Sequence, residues 1–443
     1  MRRAACRRCF RILTLLSFFA TLVTPAWPQL ITGEDRNLSQ TMLSTAADDV
    51  RHYYYDPKFH GVDWNAKVRE TKESISKAAT FSDAVSAIAA LFETLNDSHT
   101  GFYPPERTVR LEYGWRARMI GARCLITYVK PASDAEAKGL RAGDRVVTIE
   151  GFETTRDSFA RMQYSLNILA PRSVIQLGVV SHETKKFRNV DVKAEVWDTK
   201  SSLPSGEFTG IVQRFRRDDM EKALQAGRAQ SAELGAELMV IRLPKFGSQA
   251  TGDLINKARR HQTLIFDLRG NGGGLEDSLQ EWLGVMFPNE VKIADRVSRS
   301  KTTTLTTRKN KHQADYSGKL IVLVDSRCGS AAELFARVIQ LEKRGTILGD
   351  TTAGGTMEAV FFRHLVVGFN DSHRFAASVT IADLVMADGK SIEHVGVRPD
   401  DVVLPSPDDL ASGSDPVLVR AAALAGVNLD PASAGKLFPP DNR

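Results

Sequence analysis

Residues 319–341, KLIVLVDSRCGSAAELFARVIQL, constrain this chain more than any other stretch. Residues 320–324 are an unbroken run of leucine and β-branched side chains, the pattern of a strand buried on both faces. A polar turn follows at 325–329. Apolar residues then recur at Leu334, Phe335, Val338, Ile339 and Leu341, the stripe of an amphipathic helix. Ser330 stands where the turn hands over to the helix. Amides at a helix start have no partners inside the helix, and the dipole there favours negative charge. A serine at such a place has two readings. With Glu333 it makes a capping box, Ser-x-x-Glu. Alternatively it is a nucleophile whose oxyanion adduct meets the free amides.

Neighbouring stretches place this unit in an α/β core. Residues 238–243 and 263–268 read as buried strands, and 346–348, 361–367 and 378–381 as later ones. Strands alternating with helices over 238–403 predict an α/β fold. The strand ending at Leu268 runs into RGNGGG, four glycines within residues 270–274. Its spacing fits neither Gly-x-Gly-x-x-Gly nor a Walker loop with its lysine. Backbone amides exposed for an oxyanion are the other use of such a loop.

Upstream, residues 35–92 carry helical periodicity in Leu38, Met42, Ala46 and Val50, then in Ala84, Ile88 and Leu91. Turn-formers at 96–101, NDSHTG, end it. Residues 113–195 read as a small β-rich module, with strands at 124–129, 145–149 and 174–180 and a short helix at 135–141. Residues 214–230 are a highly charged helical insertion with a solvated face. A last helix is expected at 415–425.

The net charge of +6 includes Arg2, Arg3, Arg7, Arg8 and Arg11, and without them it is 6 − 5 = +1. No basic stripe then remains to argue for nucleic acid. Those arginines precede the apolar run 12–23 and then Ala26-Trp27-Pro28-Gln29. This is the layout of a secretory signal peptide, expected over 1–28, and no stable membrane insertion is expected after its removal. Cys6 and Cys9 go with it. Cys124 and Cys328 remain, and pair only if their backbones approach. No Cys/His cluster has zinc spacing, so neither metal nor cofactor is expected.

Taken in order, several motifs resemble the carboxy-terminal processing (tail-specific) peptidase family, and within it the tricorn-protease-like branch. They are Tyr54-Tyr55-Asp56, Val62-Asp63-Trp64, residues 95–100, the Gly-rich turn of 139–151, and residues 267–274, 329–333, 349–355 and 393–400. The resemblance implies an α/β, ClpP/crotonase-like peptidase core over 198–410 and a C-terminal helix and tail over 411–443. It also implies an inserted PDZ-like module over 113–197 and a helical N-terminal part over 33–112. The family's processing branch uses a Ser–Lys dyad, whose Lys lies in Thr-Phe-Gly-Lys-Gly. Here that stretch reads Thr352-Ala353-Gly354-Gly355-Thr356, without the lysine. A serine hydroxyl needs an adjacent base. The tricorn-like pattern supplies Ser98-His99, Ser330 and Glu393.

The roles this resemblance implies are Ser330 as nucleophile and His99 as base, with Glu393 acting through Ser98 to orient the imidazole. The oxyanion is expected on the amides of Ala331 and of Gly272 or Gly273. An exported, periplasmic or secreted serine peptidase acting on proteins or peptides follows as the expectation, with an oligomer compatible with it. Two alternatives stay open: a catalytically silent binding protein on the same scaffold, or a dyad through Lys343 or Lys390.

Overall fold

The computed structural model describes residues 30–107, 109–198, 228–247, 251–308, 315–367 and 372–438. The expected signal peptide and most of the charged insertion lie outside them. Three helices open the fold: α1 (Gly33–Tyr53), α2 (Trp64–Lys77) and α3 (Phe81–Glu93). The periodicity predicts one helical stretch, and the structure breaks it twice. Pro57 cannot continue α1, and new starts are capped by Asp63, which accepts from Ala66 N–H, and by Thr80 in a box with Asp83.

Strand β1 (Gly101–Tyr103) follows, and β2 (Val109–Glu112) leads into the β-rich module. There β3 (Trp115–Ile120), β4 (Arg123–Val129), β5 (Arg145–Ile149), β6 (Phe152–Glu153), β7 (Val174–Val180) and β8 (Phe187–Lys193) form one antiparallel sheet. Its order is β3-β4-β5-β7-β8 with β6 beside β5, so β3 is an edge. Helices α4 (Asp134–Ala137) and α5 (Arg156–Tyr164) close its core with Ala135 and Phe159. The expected helix at 135–141 is thus shorter. Helix α5 and strand β8 escaped the sequence reading because each buries so little: Phe159 in α5, Val190 and Val192 in β8. Strand β9 (Glu195–Asp198) pairs with β2, so entry to and exit from the module are joined as one ribbon.

The core is built on a six-stranded sheet. Chain order runs β10 (Gln230–Leu234), β11 (Leu238–Arg242), α6 (Thr251–Ala258), β12 (Thr263–Asp267), α7 (Glu276–Gly284), β13 (Lys292–Ser298), β14 (Thr302–Thr306), β15 (Lys319–Val324), α8 (Ala331–Leu341), β16 (Thr346–Gly349), β17 (Glu358–Val367), β18 (Ser372–Met386) and β19 (Asp401–Val402). The sheet order is β10-β11-β12-β15-β16-β19, parallel except for β10. Alternate side chains serve opposite faces. Leu320, Val322 and Val324 of β15 pack with Trp282 and Phe335 from α7 and α8, while Ile321 and Leu323 pack with Val417, Leu418 and Ala421. The latter three belong to α10 (Pro416–Leu424), which stands between α9 (Pro407–Ser412) and α11 (Pro431–Lys436). Burial on both faces is why the four core strands read as continuous apolar runs.

A second sheet, β1-β18-β13-β14 with β17 beside β18, does the positioning. The fifteen residues of β18 span two cores. Phe375, Ala377 and Val379 pack on the N-terminal helices, whereas Leu384 and Met386 belong to the α/β core. Because β1 pairs with β18, Gly101 opposite Ser378, the loop just before β1 is carried from the N-terminal part to the core.

Candidate active site

Ser330 is the residue before α8 and has φ 53° and ψ −124°. That conformation is unfavourable for a residue with a Cβ. It is held from several sides. Ser330 N–H donates to Gly355 O at 2.6 Å and to Glu333 Oε2 at 3.2 Å. A Cβ built on Gly273 (φ +106°) would fall 2.6 Å from Ser330 Cβ, so only glycine lets that backbone lie against the serine.

The oxyanion candidates divide. Gly273 N–H is donated to Asn271 Oδ1 at 2.8 Å. Gly272 N–H and Ala331 N–H make no hydrogen bond among the described residues. Asn271, fully buried, locks this loop: its Nδ2 donates to Leu243 O and its carbonyl accepts Gly329 N–H. Nothing local in the sequence singles out Asn271, because two of its partners, Leu243 and Gly329, lie 28 and 58 residues away.

On the other side, Asp97 ties down the loop ahead of β1. Its Oδ1 accepts from His99 N–H, Thr100 N–H and Thr380 Oγ1. Ser98 and Glu393 meet twice across 295 residues: Ser98 N–H donates to Oε1 at 2.7 Å and Ser98 Oγ to Oε2 at 3.0 Å. Ser98 Oγ also lies 2.7 Å from His99 Nδ1. With the hydroxyl proton spent on the carboxylate, the serine oxygen accepts from Nδ1–H, which leaves Nε2 as the basic nitrogen. Nε2 has no hydrogen-bond partner among the described residues, and no hydrogen bond is closed between it and Ser330 Oγ. Burial lowers the His99 pKa below the ordinary imidazole value, against the opposing pull of Glu393 and Asp97.

Gly355 joins the two halves. Its carbonyl holds Ser330, and a Cβ built on it would fall 3.2 Å from Ser98 Oγ and 3.8 Å from His99 Cε1. The next residue, Thr356, donates its N–H to Glu393 Oε2 at 2.8 Å. Glu333 is a cap as its spacing suggests, and its carboxylate additionally accepts from Thr352, Gly354 and Gly355.

The two lysine alternatives fare poorly. Lys343 lies beyond the far end of α8, whose eleven residues put it about 16 Å along the helix from Ser330. Lys390 is exposed in the turn after β18. Cys124 and Cys328 are both buried and unpaired. Among the described residues no group of three His, Cys, Asp or Glu side chains is placed to hold a metal.

The module docks beside this site. Arg118 of β3 pairs with Asp325 at 3.1 Å, and Asp325 accepts Gly270 N–H at the start of the glycine loop. Arg156 of α5 donates to Thr351 O and pairs with Asp350. A cleft of about 810 Å3 separates β3 and α5 from the C-terminal helices. It borders Arg269 and Arg327 but not Ser330.

Residues 237–403 match the model of peptidase family S41. The chain is 28% identical over 402 residues to the chloroplastic C-terminal processing peptidase of Tetradesmus obliquus, covering 84% of this chain and 78% of that protein. It is 25% identical over 418 residues to the carboxyl-terminal-processing protease of Picosynechococcus sp., covering 89% and 91%. Among solved structures, mature CPAF complexed with lactacystin superimposes with a TM-score of 0.60 at 14% identity, covering 85% of this chain and 95% of that one. That likeness is one of fold.

Proposed function

We propose that the chain is a serine-type peptidase of the S41 kind acting on proteins or peptides, with Ser330 as its nucleophile and His99 as its general base. The observation that carries this reading is the chain Glu393–Ser98–His99, with both contacts of the Ser98 hydroxyl at 3.0 Å or less. Ser330 Oγ attacks the scissile carbonyl carbon while its proton passes to His99 Nε2. The carbonyl electron pair moves to oxygen, and the oxyanion rests on the free amides of Gly272 and Ala331; Gly273 serves as a spacer. The carbon–nitrogen bond then breaks and the imidazolium gives its proton to the departing amine. Water, activated by the same base, releases the acyl group from Ser330. Glu393 stabilises the charged ring through Ser98. In the apo state a base–nucleophile hydrogen bond is often open and closes with substrate.

The edge strand β3 faces the 810 Å3 cleft with no strand on its outer side among the described residues. That geometry supports a PDZ-like role in which an extended substrate segment adds to β3. The basic head and apolar run at the N-terminus support export to the periplasm or beyond. No helix among the described residues is long and apolar enough to cross a membrane.

A fluorophosphonate probe followed by peptide mapping tests the assignment. Labelling is expected at Ser330 and is expected to vanish in His99→Ala. Undiminished labelling and casein cleavage by His99→Ala protein would rule out the base.

A further inference from the structure

Glu333 is the most deeply buried carboxylate among the described residues, with no exposed surface. The buried carboxylates nearby, Asp267, Asp325 and Asp350, each face an arginine. Glu333 faces none. All four of its partners are neutral donors: Thr352 Oγ1–H (2.5 Å) and Gly354 N–H (2.7 Å) on Oε1, Gly355 N–H (2.8 Å) and Ser330 N–H (3.2 Å) on Oε2. A charge buried without a counter-ion is costly, and a helix cap needs only one of those contacts.

The other three contacts fall on residues 352–355, a stretch without regular secondary structure. Through it Ser330 is joined to the turn that bears Glu393. Gly355 O accepts from Ser330 N–H, and Gly354 O accepts from His394 N–H. Thr352 Oγ1 accepts from Val397 N–H at 2.6 Å, fastening the turn that bears Glu393.

We propose that Glu333 is a positioning residue for proton transfer, setting through residues 352–355 the spacing between Ser330 and the His99–Ser98–Glu393 chain. The proposal rests on the assignment of Ser330 and His99 above. Since every partner is a donor, Glu333→Gln keeps the volume but turns an amide NH2 against two of them. Residues 352–355 then shift, and the imidazole loses part of the packing that excludes water.

The test uses the full chain and a peptide substrate, with rates expressed per fluorophosphonate-titrated site. For Glu333→Gln, kcat is expected to fall about tenfold or more, the scale of sub-ångström misplacement. The acid limb of kcat/KM is expected to move up toward the ordinary imidazole value, with KM changed much less. A purely structural role would lower the number of titratable sites and leave kcat per site and the acid limb alone; that result overturns the proposal. If Glu333→Gln does not fold, Thr352→Val decides. It is expected to lower kcat and raise the limb, with Thr352→Ser restoring most of the loss, and wild-type values for Thr352→Val overturn the proposal. Hydrolysis surviving in Ser330→Ala would instead overturn the active-site reading beneath it.

Discussion

Gly355→Ala separates the geometry of the site from the stability of the fold. Gly355 has no left-handed φ, so alanine fits its backbone. The added Cβ falls 3.2 Å from Ser98 Oγ and 3.3 Å from Ser98 Cβ, a few tenths of an ångström inside ordinary contact. Ser98 is exposed on its other side and can yield. The cost of that shift is offset by the smaller entropy of the unfolded chain, roughly 0.4–1 kcal/mol for Gly→Ala at a compatible site. The melting temperature should therefore hardly change. Activity should not be spared, because Ser98 orients His99. If 1 Å of misplacement costs about a hundredfold, a shift of about 0.4 Å costs about sixfold, or about 1 kcal/mol of barrier. Stopped assays with a fluorogenic peptide, normalised by active-site titration and set beside a thermal melt, measure both quantities. Wild-type kcat in Gly355→Ala would refute the placement of the imidazole beside this residue during turnover.

Four further outcomes follow from the same geometry. The proposed base, His99, works unprotonated and burial lowers its pKa, so the acid limb of the wild-type pH–rate profile should lie below about 6.5. Glu393→Gln removes a charge that raises that pKa, so the limb should move lower still while kcat falls; a limb moving upward would contradict the Glu393–Ser98–His99 chain. Burial alone would raise the Asp325 pKa, but Arg327, Arg118 and the amides of Gly270 and Arg327 override it and hold it at about 2. A folded pKa below the unfolded value means that stabilisation is complete above about pH 4 and is lost as pH falls through 2. The pH-dependent loss should be about 2 kcal/mol by denaturant titration, and absent from Asp325→Asn. Finally, Lys343→Ala and Lys390→Ala should keep wild-type kcat, and loss of activity in either would revive a serine–lysine dyad.

The sequence by itself determined the core strands and the helix behind Ser330. Burial on both faces writes β11, β12, β15 and β16 as runs of apolar residues, and a helix face writes α8 as a stripe; both signals are local. Residues 98, 99, 330 and 393 were singled out through resemblance, and the structure brings Ser98, His99 and Glu393 into one hydrogen-bonded chain. Tertiary structure decided who bonds to whom. That Asn271 reaches the carbonyl of Leu243, that Asp97 takes the hydroxyl of Thr380, and that Glu333 reaches residues 352–355 depends on which segments pass within 3 Å. Hydrogen bonds pair groups after packing has brought them together, so partners 295 residues apart, such as Ser98 and Glu393, leave no trace in periodicity. Strands β8, β13 and β14 escaped for a related reason: each buries only part of its side chains and is held by its neighbours' ladders.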